Sequence, residues 1–466
     1  MEKPTRKGRA PNTRLRDLLK AEGVTYEALA SKVRAVAAEA GQALHTNRSN
    51  VAHWVAGAEP KEPTSLYLVE ALSRHLRRPV GPEEVGLLEP RLRPALEWHA
   101  DTLNALIELG RQDLDMVRRR ALSAAAYSVA ALAVPGATWW PEQAAHAASR
   151  EPTGTRRVGG RDLEAVRDMV AVFSRADQRH GGGHARSTVV QYLTSDVGAY
   201  LRGRFADETV RRGMYSAAGE LAYLSGWMAF DNAEHATAQH YFTLAVSLAA
   251  EADDAPLAGH VLRAMAHQAV DLGHPRQALN LASASVDGAR YRDASPRERS
   301  LLGVVHARAL AASGQKRAAA TALLRAEDDL RATTPDGAEP GRVFFFGEAS
   351  LAHETACVLR DTGDLPGAQR QFRRSVRTRK AESFTRTHAV TLGYLGSVQA
   401  RQGAIDDACA TWNRALDTMD GIQSARTRRV AADMRTALSP LRGRGITAVN
   451  ELDRRAAAYL STSASI

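Results

Sequence analysis

The stretch Gly226-Trp-Met-Ala-Phe-Asp-Asn-Ala-Glu-His-Ala-Thr-Ala-Gln-His-Tyr-Phe-Thr-Leu-Ala245 decides the fold. Small residues stand at Gly226, Ala238 and Ala245, with bulky Phe242 before the last, so the spacings are twelve, four and three. The same spacing returns at Ala266, Ala278, Ala282 and Ser285, and again at Ala307, Ala319, Leu323 and Ala326. It returns twice more, at Ala356, Ala368, Phe372 and Ser375, then at Gly396, Ala408, Trp412 and Ala415. Two helices approach closely where both present small side chains, and the third position fills the gap beside them. Five matches at intervals of 40, 41, 49 and 40 residues predict stacked helical hairpins. The turns fall at Asp231-Asn232, Gly273, Gly314, Gly363 and Gly403, and the long interval holds the insertion Thr333 to Gly341.

This is the tetratricopeptide signature, with helices longer than the usual unit. It predicts an α-solenoid over residues 161–466, with an atypical leading pair over 161–212 and a closing cap over 427–460. Nowhere does the chain require a strand, and apolar residues recur three and four apart. An all-α protein is expected, with an N-terminal helix-turn-helix domain ahead of the solenoid.

Upstream, residues 94–160 read as a helical connector and linker. The apolar run Ala121 to Val134 follows Arg118-Arg119-Arg120 and mimics an export signal, but its 14 residues fall short of a membrane span, which takes about 20. It is expected to be a buried helix, and 135–160, rich in Pro, Gly, Arg and Thr, a low-order linker. Residues 12–93 carry four helical patterns. Asn12 caps Leu15, Leu18 and Leu19; Thr25 opens Tyr26, Leu29, Ala30 and Val33; Thr46 or Asn47 caps Val51, Trp54 and Val55. Pro60 and Pro63 precede the fourth, with Leu66, Leu68, Val69, Leu72 and Leu76.

Charge adds a partner. The 466 residues carry a net +10. Residues 1–20 hold seven bases against two acids, whereas 21–93 hold nine of each. Half of the surplus therefore sits in residues 1–20, which open with a basic arm (1–11) in which Arg6, Lys7 and Arg9 can track phosphate or a minor groove of double-stranded DNA. With Val51 and Trp54 anchoring the third helix against Leu29, Val33 and Leu68, its Arg48, Ser49, Asn50 and His53 project outward. Those side chains suit major-groove base edges, and Lys61 a backbone phosphate. The segment from Ala35 to Thr46 exceeds a minimal turn, so the second helix is extended or the turn enlarged.

The run Asn47-Arg-Ser-Asn-Val-Ala-His-Trp-Val-Ala-Gly-Ala-Glu-Pro-Lys-Glu-Pro resembles the recognition segment of actinobacterial regulators that join an Xre-like helix-turn-helix to tetratricopeptide repeats, among them the NsdA-type differentiation and antibiotic regulators of Streptomyces. Asp177-Gln-Arg-His-Gly-Gly-Gly, Ala222-Tyr-Leu-Ser-Gly-Trp-Met-Ala-Phe-Asp and Met265-Ala-His-Gln-Ala extend the resemblance. It implies transcriptional control of development or secondary metabolism.

In such a solenoid the first helix of each pair lines the concave face. Counted from the small residue, positions −6, −3, +1 and +4 are expected there. They give Glu220, Tyr223, Trp227 and Phe230, then His260, Arg263, His267 and Val270. The third and fourth repeats supply Arg308 and His353, and the fifth is nearly featureless. A groove of Tyr223, Trp227, Arg263, His267, Arg308 and His353 suits an acidic or peptide-like ligand, whether a peptide, a small molecule or a partner protein. Dimerisation through the repeats is expected, since paired half-sites raise specificity.

Other chemistries lack their residues. Cys357 and Cys409 are too few for a disulfide framework or a multi-cysteine metal site, and a reducing cytoplasm, at the nucleoid, is the expected compartment. The N-terminus leads into no apolar segment, so no secretory signal and no membrane partner are expected. His180-Gly-Gly-Gly resembles a lipase oxyanion loop, but no G-x-S-x-G elbow accompanies it; a family-specific turn is the simpler reading. His180 and His184 have no acidic or cysteine neighbour at ligand spacing, and Phe344-Phe345-Phe346 reads as the core-facing start of a repeat helix. No cofactor, metal or catalytic set is expected. The alternative to a regulator is a repeat scaffold whose helix-turn-helix is a protein-docking module.

Overall fold

A computed structural model describes residues 10–87, 98, 100–334, 337, 339–442, 444 and 446–462. Arg6, Lys7 and Arg9, with most of the basic arm, lie outside the described residues.

The N-terminal unit contains α1 (Thr13–Ala21), α2 (Tyr26–Glu39), α3 (Arg48–Val55) and α4 (Thr64–Leu76). Asn12 caps α1 by accepting from Leu15 N at 3.0 Å, and its amide reaches Val85 O at 2.9 Å. Asn47, not Thr46, caps α3. Helix α2 runs to Glu39 and an eight-residue loop follows, tied down where Arg34 donates to the Thr46 carbonyl. One cluster joins Leu15, Leu29, Val33, Val51, Trp54, Tyr67 and Leu68, so α3 is held by the anchors its sequence offers.

The connector departs from expectation. It forms α5 (Thr102–Leu114), α6 (Met116–Ser123) and α7 (Trp139–Ser149). The 121–134 run is no buried helix: α6 ends at Ser123, and the rest is a half-buried strap interrupted by a single short turn at Ala130–Leu132. Its backbone is satisfied by side chains instead. Tyr67 Oη donates to Ala124 O at 2.5 Å, Val129 N donates to Glu70 at 2.8 Å, and Ser128 exchanges two hydrogen bonds with Gln239. The 135–160 segment is more ordered than expected, since it holds α7 and one of two short strands. Arg157–Val158 pairs in parallel with Arg204–Phe205.

The solenoid begins with α8 (Gly160–His180), α9 (Arg186–Tyr192) and α10 (Gly198–Leu201). The first hairpin is α11 (Glu208–Asp231) with α12 (His235–Glu251), the second α13 (Ala255–Asp271) with α14 (Pro275–Ser285). After α15 (Ala289–Arg292) come α16 (Pro296–Ala312) with α17 (Lys316–Arg331), and α18 (Glu348–Thr362) with α19 (Leu365–Thr378). Helices α20 (Thr385–Arg401) and α21 (Ile405–Thr418) make the fifth, and α22 (Ala425–Leu438) with α23 (Thr447–Thr462) the cap. The spacing rule has a plain geometric cause. A Cβ on Gly226 would lie 2.8 Å from the Phe242 ring, and one on Gly396 2.5 Å from the Trp412 indole. Helix α12 is buried on every side because α5, α6 and α7 cover the face that a hairpin would leave to solvent.

At the first turn the left-handed residue is Ala233 (φ 62°), in register with Gly273, Gly314 and Gly403, so the expected Asp231-Asn232 turn is displaced by a residue or two. An alanine in this region costs about 1–2 kcal/mol, and glycine recovers that less its own chain entropy. Ala233→Gly should therefore stabilise the protein by about 0.5–1 kcal/mol in chemical denaturation; a lowered midpoint would refute the strain.

Helix α8 is not the first blade of a leading pair. It packs against α11 at one end of the stack and α20 at the other, so it crosses the concave side. Asp177 on α8 meets Arg386 on α20 at 2.9 Å, and Asp231 at the end of α11 meets the same guanidinium at 3.4 Å. The His180-Gly-Gly-Gly turn completes the closure. Gly182 N donates to Asp231 at 3.0 Å, while Gly183 N and His180 O both bond to the backbone of Gln423. The solenoid is thus a ring whose first and fifth hairpins are latched through α8.

Candidate functional site

Two places concentrate polar chemistry, the outer face of α3 and the interior of the ring. On α3, Arg48, Ser49, Asn50 and His53 are exposed, as is Lys61 beyond it, while Val51, Trp54 and Val55 are buried. Asn50 has a structural duty that its exposed helical phase does not reveal. Its Oδ1 accepts from Asn47 N at 3.0 Å while Asn47 Oδ1 accepts from Ser49 N and Asn50 N, a reciprocal cap. Bidentate reading of adenine needs both ends of an amide, so Asn50 can offer a base only its NH2 unless the cap opens. Arg48, Ser49 and His53 have no such commitment.

This unit is clamped to the ring. Arg74 on α4 bridges Glu39 (2.7 Å) and Glu70 (2.8 Å) and donates to Tyr127 O in the strap at 2.9 Å. Tyr127 stacks on His274, at the turn of the second hairpin, with ring centroids 5.7 Å apart. His274 Nε2 in turn stands 3.8 Å from Glu39. The turn of that hairpin thus lies against the C-terminal end of α2.

Inside the ring, the −6, −3 and +1 positions of the first repeat converge with Arg263, His267 and His353 of later repeats. Glu220, Tyr223, Trp227, Arg263, His267 and His353 line one cavity of about 90 Å³, with α8 closing its side through Val170, Ser174, Asp177 and Gln178. The +4 positions do not reach it. Phe230, Val270, Ala311 and Arg360 line a neighbouring cavity, and Arg308 belongs there too. Arg308 is committed to ion pairs with Asp271 and Glu354, both at 3.1 Å, and so is placed beside the central cavity rather than on it. Phe344 to Phe346 precede α18 instead of starting it. Phe346 is buried, and all three line the cavity, a role hidden in the sequence because an insertion breaks the repeat there.

The cavity wall is a network of buried charge. Arg263 donates to Tyr223 Oη at 2.8 Å, meets His260 Nε2 at 2.9 Å and lies over the Trp227 ring at 5.6 Å. Arg342 grips Glu298 with two hydrogen bonds (2.7 and 3.0 Å), and Arg386 neutralises Asp177. His353 hydrogen-bonds Thr391 at 2.9 Å and stacks on Tyr394. Burial pushes Asp177 up to about 6 and Glu220 upward. Glu298 and Glu354 are instead held at about 2: burial opposes ionisation there, and the arginines, with His260 beside Glu298, overcome it.

Desolvation pushes His260 and His353 down to about 3, and His235 and His240 to about 4. Unfolded, these rings titrate near about 6.5. Below that value the unfolded chain binds more protons, so their stabilisation is complete above about pH 6.5 and falls as pH drops towards 4, by up to about 1.4 kcal/mol per unit for each ring. Asp177 acts in the opposite sense between about 4 and 6, and Glu220, also pushed upward, acts with it. The melting temperature should fall steadily on acidification from about pH 7 to pH 5, with a shallower slope in His240→Gln; a flat profile would contradict neutral burial of the rings.

Comparison with known proteins gives two findings. Residues 15–88 match the family model described as the SP15 N-terminal domain, a stretch that takes in almost all of α1 and the whole of α2 to α4. A solved structure of a Rap protein complexed with competence and sporulation factor is similar over 65% of this chain and 92% of its own, at 14% identity and a TM-score of 0.39, too distant to bear on function. No curated protein matches. The class, a helical-hairpin solenoid preceded by a four-helix unit, rests on the helices themselves. Among the described residues, no helix is long and apolar enough to cross a membrane.

Proposed function

We propose that the protein is a sequence-specific DNA-binding transcriptional regulator of development or secondary metabolism, of the actinobacterial helix-turn-helix and tetratricopeptide type. In this reading it works in the cytoplasm at the nucleoid as a homodimer, performs no catalysis, and uses its ring to sense a small molecule, peptide or partner protein. The observation that carries the reading is the two-faced α3, anchored through Val51, Trp54 and Val55 and offering Arg48, Ser49 and His53 to solvent. The Tyr127–His274–Glu39 contact supports coupling between ring and α3, since Glu39 ends α2 and α2 packs against α3.

Enrichment of genomic fragments by the purified full chain tests this. Reproducible fragments should be recovered, and Arg48→Ala with His53→Ala should abolish the preference among them while thermal stability holds. Removing residues 1–11 should weaken binding to all fragments alike and flatten its salt dependence, by about 0.9 in log–log slope for each phosphate that the arm neutralises. Failure to enrich any fragment would sink the reading. The neutral balance of residues 21–93 favours a second one, a repeat scaffold whose N-terminal unit docks a protein; it gains if the double variant changes a protein partner's binding and no DNA is recovered.

A further inference from the structure

Most arginines in the core have a carboxylate of their own. Arg186 meets Asp113 at 2.7 Å, Arg308 meets Asp271 at 3.1 Å, Arg342 meets Glu298 at 2.7 Å and Arg386 meets Asp177 at 2.9 Å. Arg263 and Arg379 do not. They are 2% and 8% exposed, and among the described residues neither forms an ion pair. The hydrogen bonds of Arg263 go to a tyrosine and a histidine, those of Arg379 to the Ala349 carbonyl and the Ser375 hydroxyl, and the Nε of each has no partner among the described residues. Burial lowers Arg379 to about 10, the mark of a cation lacking a counter-charge. Both line the central cavity, where five arginines face only three carboxylates, Asp177, Glu220 and Glu354. A buried charge left unpaired costs several kcal/mol in general, so two facing one cavity need an account.

Arg379 also faces outward. It lines an open cleft of about 750 Å³ that shares Phe344 to Phe346 and Ser350 with the central cavity. The rim of that cleft carries Arg175, Arg179, Arg297 and Lys380, none ion-paired among the described residues, against Glu348, already bound to Arg374, and exposed Glu382. Phe344 packs against Phe345 and Phe384, with centroids 6.1 Å away in each case, so the walls are aromatic. Cleft and cavity together have the size range of small-molecule sites, roughly 300–1,000 Å³, with basic groups at the mouth and an uncompensated guanidinium at the junction.

We propose that this cleft and the cavity behind it bind a small organic anion, a carboxylate on a flat apolar body, its head between Arg379 and Arg263 and its body against Phe344 and Phe345. This rests on the reading of the ring as the sensing module and names the chemical class it senses. Guanidinium pairs carboxylate in a planar fork, and the phenyl walls exclude the water that would weaken the pair.

The test uses the full chain and three probes in calorimetric titration. 1-Naphthoate supplies head and body, 1-naphthalenemethanol the body without charge, and acetate the head alone. Naphthoate should bind at least about tenfold more tightly than either comparator, and Arg379→Met should remove that advantage. Equal binding of naphthoate and naphthalenemethanol, no binding of naphthoate, or unchanged affinity in Arg379→Met would each overturn the proposal. Should Arg379→Met fail to fold, Phe345→Ala decides. About a fivefold loss for naphthoate is expected from the smaller apolar wall, and no loss overturns it. Genomic enrichment by the same preparation is independent: its failure with naphthoate still bound removes the regulator and leaves the anion site, and the converse removes only the site.

Discussion

Arg386→Met is expected to destabilise the ring by about 3–5 kcal/mol, the cost of stranding buried charge. Arg386 is the only cation within 4 Å of Asp177 or Asp231 among the described residues, and both carboxylates are almost fully buried. Methionine fills much of the same volume, so packing alone would predict a small effect. The electrostatic account predicts a partial rescue as well. Asp177→Leu in the Arg386→Met background removes one stranded charge and should recover a good part of the loss, whereas Asp177→Leu alone should be harmful because it leaves Arg386 with only the 3.4 Å partner. Denaturant unfolding of the four species gives the coupling energy directly. Near-additivity would show that the pair contributes packing and nothing more. The single variant should also be cut faster by proteases around residues 181–184.

Gly182→Ala should be strongly damaging for the addition of a single methyl group. A Cβ there would sit 2.4 Å from Met228 O and 2.8 Å from Met228 Cα, backbone atoms of α11 that cannot swing aside. Overpacking of this kind costs about 1–3 kcal/mol where neighbours can adjust, and the upper end or more is expected. Gly181 beside it has φ 88° and approaches the Gln423 carbonyl equally closely, so the turn cannot slide to accommodate the methyl. Gly136→Ala, with nothing within 4 Å, is the matched control and should be near neutral. If the two variants melt alike, the turn does not latch the ring.

The hairpins were legible because their signal is local: Gly226 and Phe242, or Gly396 and Trp412, are sixteen residues apart and meet inside one hairpin. The same logic placed Tyr223, Trp227, Arg263, His267 and His353 around one cavity. Ring closure was not legible, since Asp177 and Arg386 are 209 residues apart and nothing in either local pattern marks the partner. The 121–134 run departs from its helical expectation for a different reason. Its alanines and valines satisfy a helical or buried pattern equally, while the groups that hold it straight, Tyr67, Glu70, Arg74 and Gln239, lie on other elements. The exposure of Asn50 follows from helical phase, whereas its capping duty depends on Asn47 and on the residue at which the helix begins, which periodicity does not specify.

The latch formed by α8 bears on how the molecule comes apart. A linear array of repeats gains stability from neighbours alone, so it can fray from either terminus and melt through partly folded species. Here the first hairpin is also a neighbour of the fifth. Losing any one interface forfeits the closure too, and the last hairpin to dock must search with most of the chain already placed, an entropic cost that grows with the logarithm of loop length. The ring should therefore melt in a single transition, fold slowly for a helical protein, and tolerate deletion of its C-terminal hairpins far less well than an open stack of the same length.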